Sequence, residues 1–392
     1  MFFCLAPFLT SQTASADDYV SVWQKCETAI RTGYYARQSR KDEIESRFAR
    51  YDPLMKSVKS HQEFDALMDK MIAEFKDSHF DFLTDQEQGY YMMDGFRGDS
   101  ALEMPHIGAW FRKVKDGYQV QMLLEGMPAA AAGMRKGDIV QSVNDQPFSP
   151  ITSLAPFVGK DVVVKFSRPA PQEKAMPYLR MSATVSVKKQ KAFEMFLESS
   201  RKSVRVIDYE GKKIGYMHLW TMSSDSFRDA VQQAMSGPLA NTDAMIFDIR
   251  DGFGGRPEGF GDPFFRPDTQ IEWKFAENST GMKQQFGYGR PLAVLINEGS
   301  RSAKEVFSAI IKKSGRGILV GNTTGGFVLG TGPNRVVDWA YLELPMVDVI
   351  VNGERLEGKG VTPDIKLPAE FAPDGSDAHL AAALKALREK LR

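Results

Sequence analysis

In HQEFDALMDKMIAEFKDSH, residues 61–79, the apolar positions Phe64, Leu67, Met68, Met71, Ile72 and Phe75 recur at i, i+3, i+4 and i+7. That is the period of an amphipathic helix. Residues 17–77 read as helical, ending near Asp77, where SHFDFL takes up the alternation of a strand. From about 97 to 190 the pattern shortens to strands and turns: a strand at 118–124, a small-residue helix start at Pro128-Ala129, a turn at Lys136-Gly137-Asp138, then the strand IVQSV. Beyond about 204, strands and helices alternate. GKKIGYMHLW, DAMIFDIR, PLAVLI and RGILVG read as strands, while SSDSFRDAVQQAM and SAKEVFSAIIKKSG read as helices, the second with Val306, Phe307, Ile310 and Ile311 facing inward. Near-continuous apolar strands between helices predict a mainly parallel sheet covered on both faces. The fold class expected is therefore α+β and multidomain, with a helical N-terminal region, a β-domain and an α/β core.

Composition narrows the function classes. At 392 residues and 43% hydrophobic, the chain can bury two or three cores. Fifty basic residues balance fifty acidic ones, so nothing favours nucleic acid or an anionic membrane as partner. No run after the N-terminus is long and apolar enough to span a bilayer. MFFCLAPFLTSQTASADD has a short apolar core and ends in the small residues Ala14-Ser15-Ala16, which reads as a signal peptide over 1–16 without the usual basic start. A periplasmic or secreted location follows from that reading. Cys4 would leave with the leader and Cys26 would remain alone, so neither a disulfide framework nor a cysteine metal site is expected, and no cofactor is implied.

The candidate chemistry lies where strands end. Ser302 follows PLAVLI and precedes a helix, with Glu305 three residues on. That spacing is a capping box, and it equally places a hydroxyl beside the free amides and positive end of a helix, which suits a developing oxyanion. A second turn, DGFGG at 251–255, follows DAMIFDIR; its glycines allow backbone amides close to a substrate, and reactive groups of open sheets gather at such strand ends. Lys304 reads as a solvated first-turn lysine. Among five histidines, His61 and His379 read as surface residues and His218 as a strand residue.

GMPAAAAGMRKGDIVQSVNDQPF resembles a PDZ domain, over residues 97–190. The resemblance implies a groove that takes an extended peptide by strand addition, with the carboxylate-holding loop near His106, at Ile107, Gly108 and Ala109. The later segments FDIRDGFGG, LINEGSRSAKEVFSAIIKKSGRGILVGNTTGG and LEGKGVTPDI are similar, in that order, to the tail-specific (C-terminal processing) and tricorn-core serine peptidases. This implies a ClpP/crotonase-like protease core over 191–392, preceded by a 17–96 helical region. On that resemblance the nucleophile falls on Ser302 rather than Ser300. Phe327 stands where one branch of the family has a lysine base, which removes that Ser–Lys dyad. The tricorn-like branch uses a Ser-His-Ser-Glu tetrad, and its positions fall on Ser302, His79, Ser78 and Glu357. Ala303 with Gly254 or Gly255 would form the oxyanion hole. Gly252 takes a place often held by asparagine, and Arg301 that of a small residue, where its charge could meet a substrate carboxylate.

The expectation is an exported serine endopeptidase acting on unfolded or C-terminally exposed polypeptides with PDZ assistance. The alternatives are an inactive PDZ-bearing scaffold that binds peptides and, less favoured, a crotonase-like lyase or hydrolase on a similar sheet. No motif specifies an oligomeric state.

Overall fold

A computed structural model of the chain describes residues 16–392 except 99, 171–177, 268, 275–281 and 373–374. The leader-like stretch at 1–16 therefore lies outside the described residues apart from Ala16. No described helix is long and apolar enough to cross a membrane. The chain divides into two compact units, residues 1–85 with 329–348, and residues 86–328 with 349–392.

The first unit has helices Ala16–Gly33, Lys41–Met55 and His61–Ala73. Ser60 starts the third by accepting from the Glu63 amide at 3.2 Å, satisfying one of the donors a helix start leaves open. Phe64, Met68, Met71 and Ile72 turn inward from it. This helix stops at Ala73, short of the expected Asp77, because the chain turns at Lys76 with φ of 58°. Phe75 remains in the core, and the Asp77 carboxylate accepts from Tyr34, from Tyr35 at 3.1 Å and from Arg40 at 2.8 Å. The helices pack on a three-stranded antiparallel sheet in the order 81–84, 340–347, 330–337. The last two strands are distant in sequence yet belong to this unit. Cys26 is a buried free thiol whose burial raises its pKa.

The second unit contains two larger sheets. One is antiparallel and follows the order 109–114, 117–123, 139–143, 161–169, 178–186, around a core that includes Ile107, Val120, Val140, Val164 and Phe166. The other has six strands in the order 205–209, 212–218, 244–248, 292–296, 318–321, 365–366. Its first pair is antiparallel and the remaining pairs are parallel. In the strand Ala244–Asp248, Met245 and Phe247 enter one core, with Phe227 and Phe307 from the helices Asp225–Ser236 and Ala303–Ser314. Ala244 and Ile246 enter another, with Ala383 and Leu387 from the helix Ala378–Lys390. Alternate side chains thus have apolar partners on both faces, which is why the strand reads as a continuous apolar run.

The helix Ala303–Ser314 buries Ala303, Lys304, Phe307, Ser308 and Ile311, whereas Ile310 is exposed. The inward stripe is therefore rotated from the expected one, following i, i+4 spacing through Ala303, Phe307 and Ile311.

Phe247 is fully buried, with its ring centroid 5.2 Å from that of Phe264 and 5.7 Å from that of Phe307. Phe247→Ala should cost about 3–5 kcal/mol of stability through lost burial and the cavity left behind. Chemical denaturation of the two proteins measures this; a loss below about 1 kcal/mol would show that the surrounding rings collapse into the space.

Candidate active site

Ser302 lies between the strand Leu292–Ile296 and the helix Ala303–Ser314, with φ of 57° and ψ of −123°. This left-handed backbone is uncommon for a residue with a side chain, and it is held from both sides. The Ser302 amide donates to the Phe327 carbonyl at 2.8 Å and toward Glu305 Oε2 at 3.2 Å. The Glu305 carboxylate also accepts from Thr324 Oγ1 at 2.6 Å and from the amides of Gly326 and Phe327, each at 2.8 Å. Burial raises the Glu305 pKa, opposed by these four donors. The sequence spacing pointed to a capping box; the structure extends that carboxylate to a whole facing segment.

The glycine turn meets Ser302 at very close range. A Cβ added to Gly254 would lie 2.4 Å from Ser302 Cβ and 2.9 Å from the Ala303 amide nitrogen, so only glycine fits there. Ala303 supplies the first amide of its helix, which has no acceptor within the helix. Thr221 Oγ1 donates to the Gly254 carbonyl at 2.9 Å and so fixes that peptide plane. Gly255, at φ of 128°, runs against the Met222 carbonyl. Gly252 is required as well: a Cβ there would come within 1.9 Å of the Trp220 carbonyl oxygen. An asparagine at this position would therefore clash with that carbonyl. Ser300 is committed elsewhere, donating to the Ile249 carbonyl at 2.9 Å and accepting from the Asn297 amide at 3.1 Å.

Lys304 is fully buried rather than solvated, a correction that the sequence pattern concealed. Its Nζ donates to the Asp251 carbonyl at 2.6 Å, so it braces the head of the glycine turn. Asp251 itself has φ of 51°, and its amide donates to Asn297 Oδ1 at 2.9 Å. Its carboxylate receives Lys136, whose Nζ also reaches Glu370 at 2.8 Å. His379 is likewise buried, not on the surface, with its ring nitrogens unpartnered among the described residues. His218 does lie in a strand, and its Nδ1 is 2.7 Å from Glu125 Oε1.

Glu357, half-buried, accepts from the Val328 amide at 2.7 Å. The segments 324–328 and 356–361 run together through Gly358 N to the Gly326 carbonyl (2.8 Å) and Val361 N to Thr324 Oγ1 (2.7 Å). Glu357 thus borders the segment whose Phe327 carbonyl holds Ser302. Arg301 lies with its guanidinium 5.9 Å from the centre of the Phe253 ring. Ser78 and His79 belong to the other unit. Ser78 is buried, its Oγ 3.1 Å from His79 Nδ1, and His79 has φ of 54°. Ile107 and Ala109 are buried in the core of the antiparallel sheet. Between them Gly108, at φ of 80°, takes its amide proton to His106 Nδ1 at 3.1 Å. The sequence missed Lys304 and Asp251 because their partners come from distant turns; a lysine one residue into an apolar helix start is the only local signal.

Burial, opposed by Asp251 and Asp248, lowers the Lys304 pKa to about 7. An unfolded lysine keeps its proton to about pH 10.4. Between about pH 7 and that value the unfolded chain binds more protons than the folded one, so the contribution of Lys304 to stability rises with pH across this window. The stability of wild type relative to Lys304→Met should therefore climb from neutral to alkaline pH, by up to about 1.4 kcal/mol per pH unit. Denaturation series on both proteins test it; a flat difference would show that the lysine titrates alike in both states.

Residues 213–367 match the model of Peptidase family S41. A probable CtpA-like serine protease of Staphylococcus aureus (strain N315) is 25% identical over 319 residues, covering 77% of this chain and 59% of that protein. The carboxyl-terminal-processing peptidase 2, chloroplastic, of Arabidopsis thaliana is 27% identical over 273 residues, covering 64% of this chain and 49% of its own. The chain thus spans between about half and three fifths of the length of these relatives. Among solved structures, the photosystem II D1 C-terminal processing protease is similar in fold, with a TM-score of 0.55, 19% identity, and coverage of 94% of this chain and 97% of that one. The tricorn protease is similar at a TM-score of 0.55 and 19% identity, over 96% of this chain and 37% of its own.

Proposed function

We propose, from the premise that residues 213–367 form a domain of peptidase family S41, that the chain is a serine endopeptidase with Ser302 as its nucleophile. The observation that carries this reading is the strained Ser302 at a helix start, pressed against Gly254 and beside the Ala303 amide. Strained backbone persists where the surroundings over-determine it, often at sites of function.

A serine hydroxyl attacks a peptide carbonyl only when a base takes its proton. In this proposal His79 is that base. Ser78, 3.1 Å from His79 Nδ1, orients the ring so that Nε2 receives the Ser302 proton, and Glu357 orients Ser78 in turn. As Ser302 Oγ bonds to the scissile carbon, the carbonyl oxygen becomes an oxyanion held by the amides of Ala303 and Gly254 (or Gly255), each worth about 3–4 kcal/mol of barrier. The imidazolium then gives its proton to the leaving amine, and water repeats the cycle on the acyl-enzyme.

The antiparallel sheet at 109–186 serves in this reading as a PDZ domain that recruits polypeptide, including exposed C-termini. In the same reading the apolar stretch at 1–16 is an export signal and the chain acts in the periplasm or outside the cell. The motif order and the antiparallel sheet topology support the recruiting role.

Labelling with a fluorophosphonate probe tests the mechanism. Wild type should label; Ser302→Ala should not, and His79→Ala should label at least about a hundredfold more slowly. Absence of label on folded wild type would transfer the choice to the peptide-binding scaffold. Gly254→Ala should also slow labelling by about a hundredfold or more, since its methyl displaces the oxyanion amides; an unchanged rate would remove Gly254 from the site.

A further inference from the structure

The strand Ala109–Val114 forms one edge of the antiparallel sheet and, among the described residues, pairs only with Gly117–Leu123. Such an edge presents unpaired amides and carbonyls, a template for another strand. Here the edge is already in use. Gln88, the first residue of the helix Gln88–Phe96, donates its Nε2 to the Ala109 carbonyl at 3.0 Å, and its Oε1 accepts from the Phe111 amide at 3.0 Å. Only one orientation of the amide satisfies both bonds, so the network itself assigns oxygen and nitrogen. A carbonyl at one residue and an amide two residues on are the groups that a single residue of a neighbouring parallel strand would engage. The Gln88 side chain therefore stands in for the N–H and C=O of one residue of an added strand. It is only 5% exposed, so water does not compete for these bonds.

We infer that Gln88 is a built-in competitor for the strand edge, which an incoming extended polypeptide must displace before it can pair with Ala109–Phe111. This rests on the reading of the sheet as a peptide-receiving domain and adds its regulation. The occupant that the edge accepts is defined by what Gln88 imitates: a backbone amide, independent of side-chain identity. The edge is also connected to the glycine turn. Trp110, between the two bonded residues, has its ring centroid 5.0 Å from that of Phe253, and Phe253 adjoins Gly254. Exchange of Gln88 for a full strand would thus act on the residue next to the proposed oxyanion hole.

The experiment uses the full chain as wild type, Gln88→Ala and Gln88→Met, the methionine keeping the length of the side chain without its amide. A pool of short fluorescent peptides of random sequence with free carboxylates is titrated by anisotropy. Hydrogen exchange is followed at the amides of 109–111. Removal of a competitor raises the population of the open edge, so both variants should bind the pool about tenfold more tightly or better. Their Phe111 amide should exchange fast without peptide and slowly with it. Binding by wild type with equal or weaker binding by both variants would overturn the proposal, leaving Gln88 as a brace and the peptide-receiving role intact. Failure of all three proteins to bind the pool would overturn that role, and the competitor with it.

Discussion

A carboxylate removed from water must find donors, and Glu305 finds them on both sides of the candidate nucleophile. It accepts from Thr324, Gly326, Phe327 and the Ser302 amide itself. Losing such partners costs far more than making them gains, because a buried polar group without a partner keeps its full desolvation penalty. The helix start and the 324–327 segment are therefore bound into one piece. Through the Phe327 carbonyl that piece holds Ser302 in its left-handed backbone, and the segment continues to Val328, where Glu357 is attached.

The glycine turn is fixed by a different physical device, exclusion of side chains. Gly252 and Gly254 each sit where a methyl group would collide with backbone or with Ser302. Absence of bulk alone would leave the turn loose, since glycine has the most conformational freedom to lose. Polar contacts remove that freedom: Lys304 on the Asp251 carbonyl, Asn297 on its amide and Thr221 on the Gly254 carbonyl. The fully buried Lys304 is tolerated because Asp251 and Asp248 oppose its desolvation. Both ends of the turn are thus held while the backbone beside Ser302 stays open to close approach.

These two devices rest on the parallel sheet. Two-sided burial of strands such as Ala244–Asp248 makes the sheet rigid, and its strands deliver DGFGG and the Ser302 segment from the same end, as parallel neighbours must. In the smaller unit, the turn through Lys76 and His79 is kept in left-handed backbone by Phe75 and Phe80 in the core and by the donors around Asp77. Strain at Ser302 and His79 has the same origin in both places: packing and hydrogen bonds on each side outweigh the local preference.

Much of this was legible without coordinates. Continuous apolar runs located four strands of the six-stranded sheet, at 212–218, 244–248, 292–296 and 318–321, and apolar periodicity located the helix of Ser302, because these depend on local sequence and burial; the strands at 205–209 and 365–366 carry no such run. The helix ending at Ala73 rather than Asp77, and the rotated face that exposes Ile310, departed because partners distant in sequence outweighed the local period. The order of the glycine turn, the serine and the later glycine-valine segment also belonged to the sequence alone. What tertiary structure decided is partnership. Lys304 looks like any first-turn lysine until the Asp251 carbonyl is brought over it, His379 like a surface histidine until it is buried beside Gly321, and Gln88 like a helix-start polar residue until the edge strand arrives. A one-dimensional pattern states which residues avoid water; which donor meets which acceptor depends on chain segments that only folding brings together.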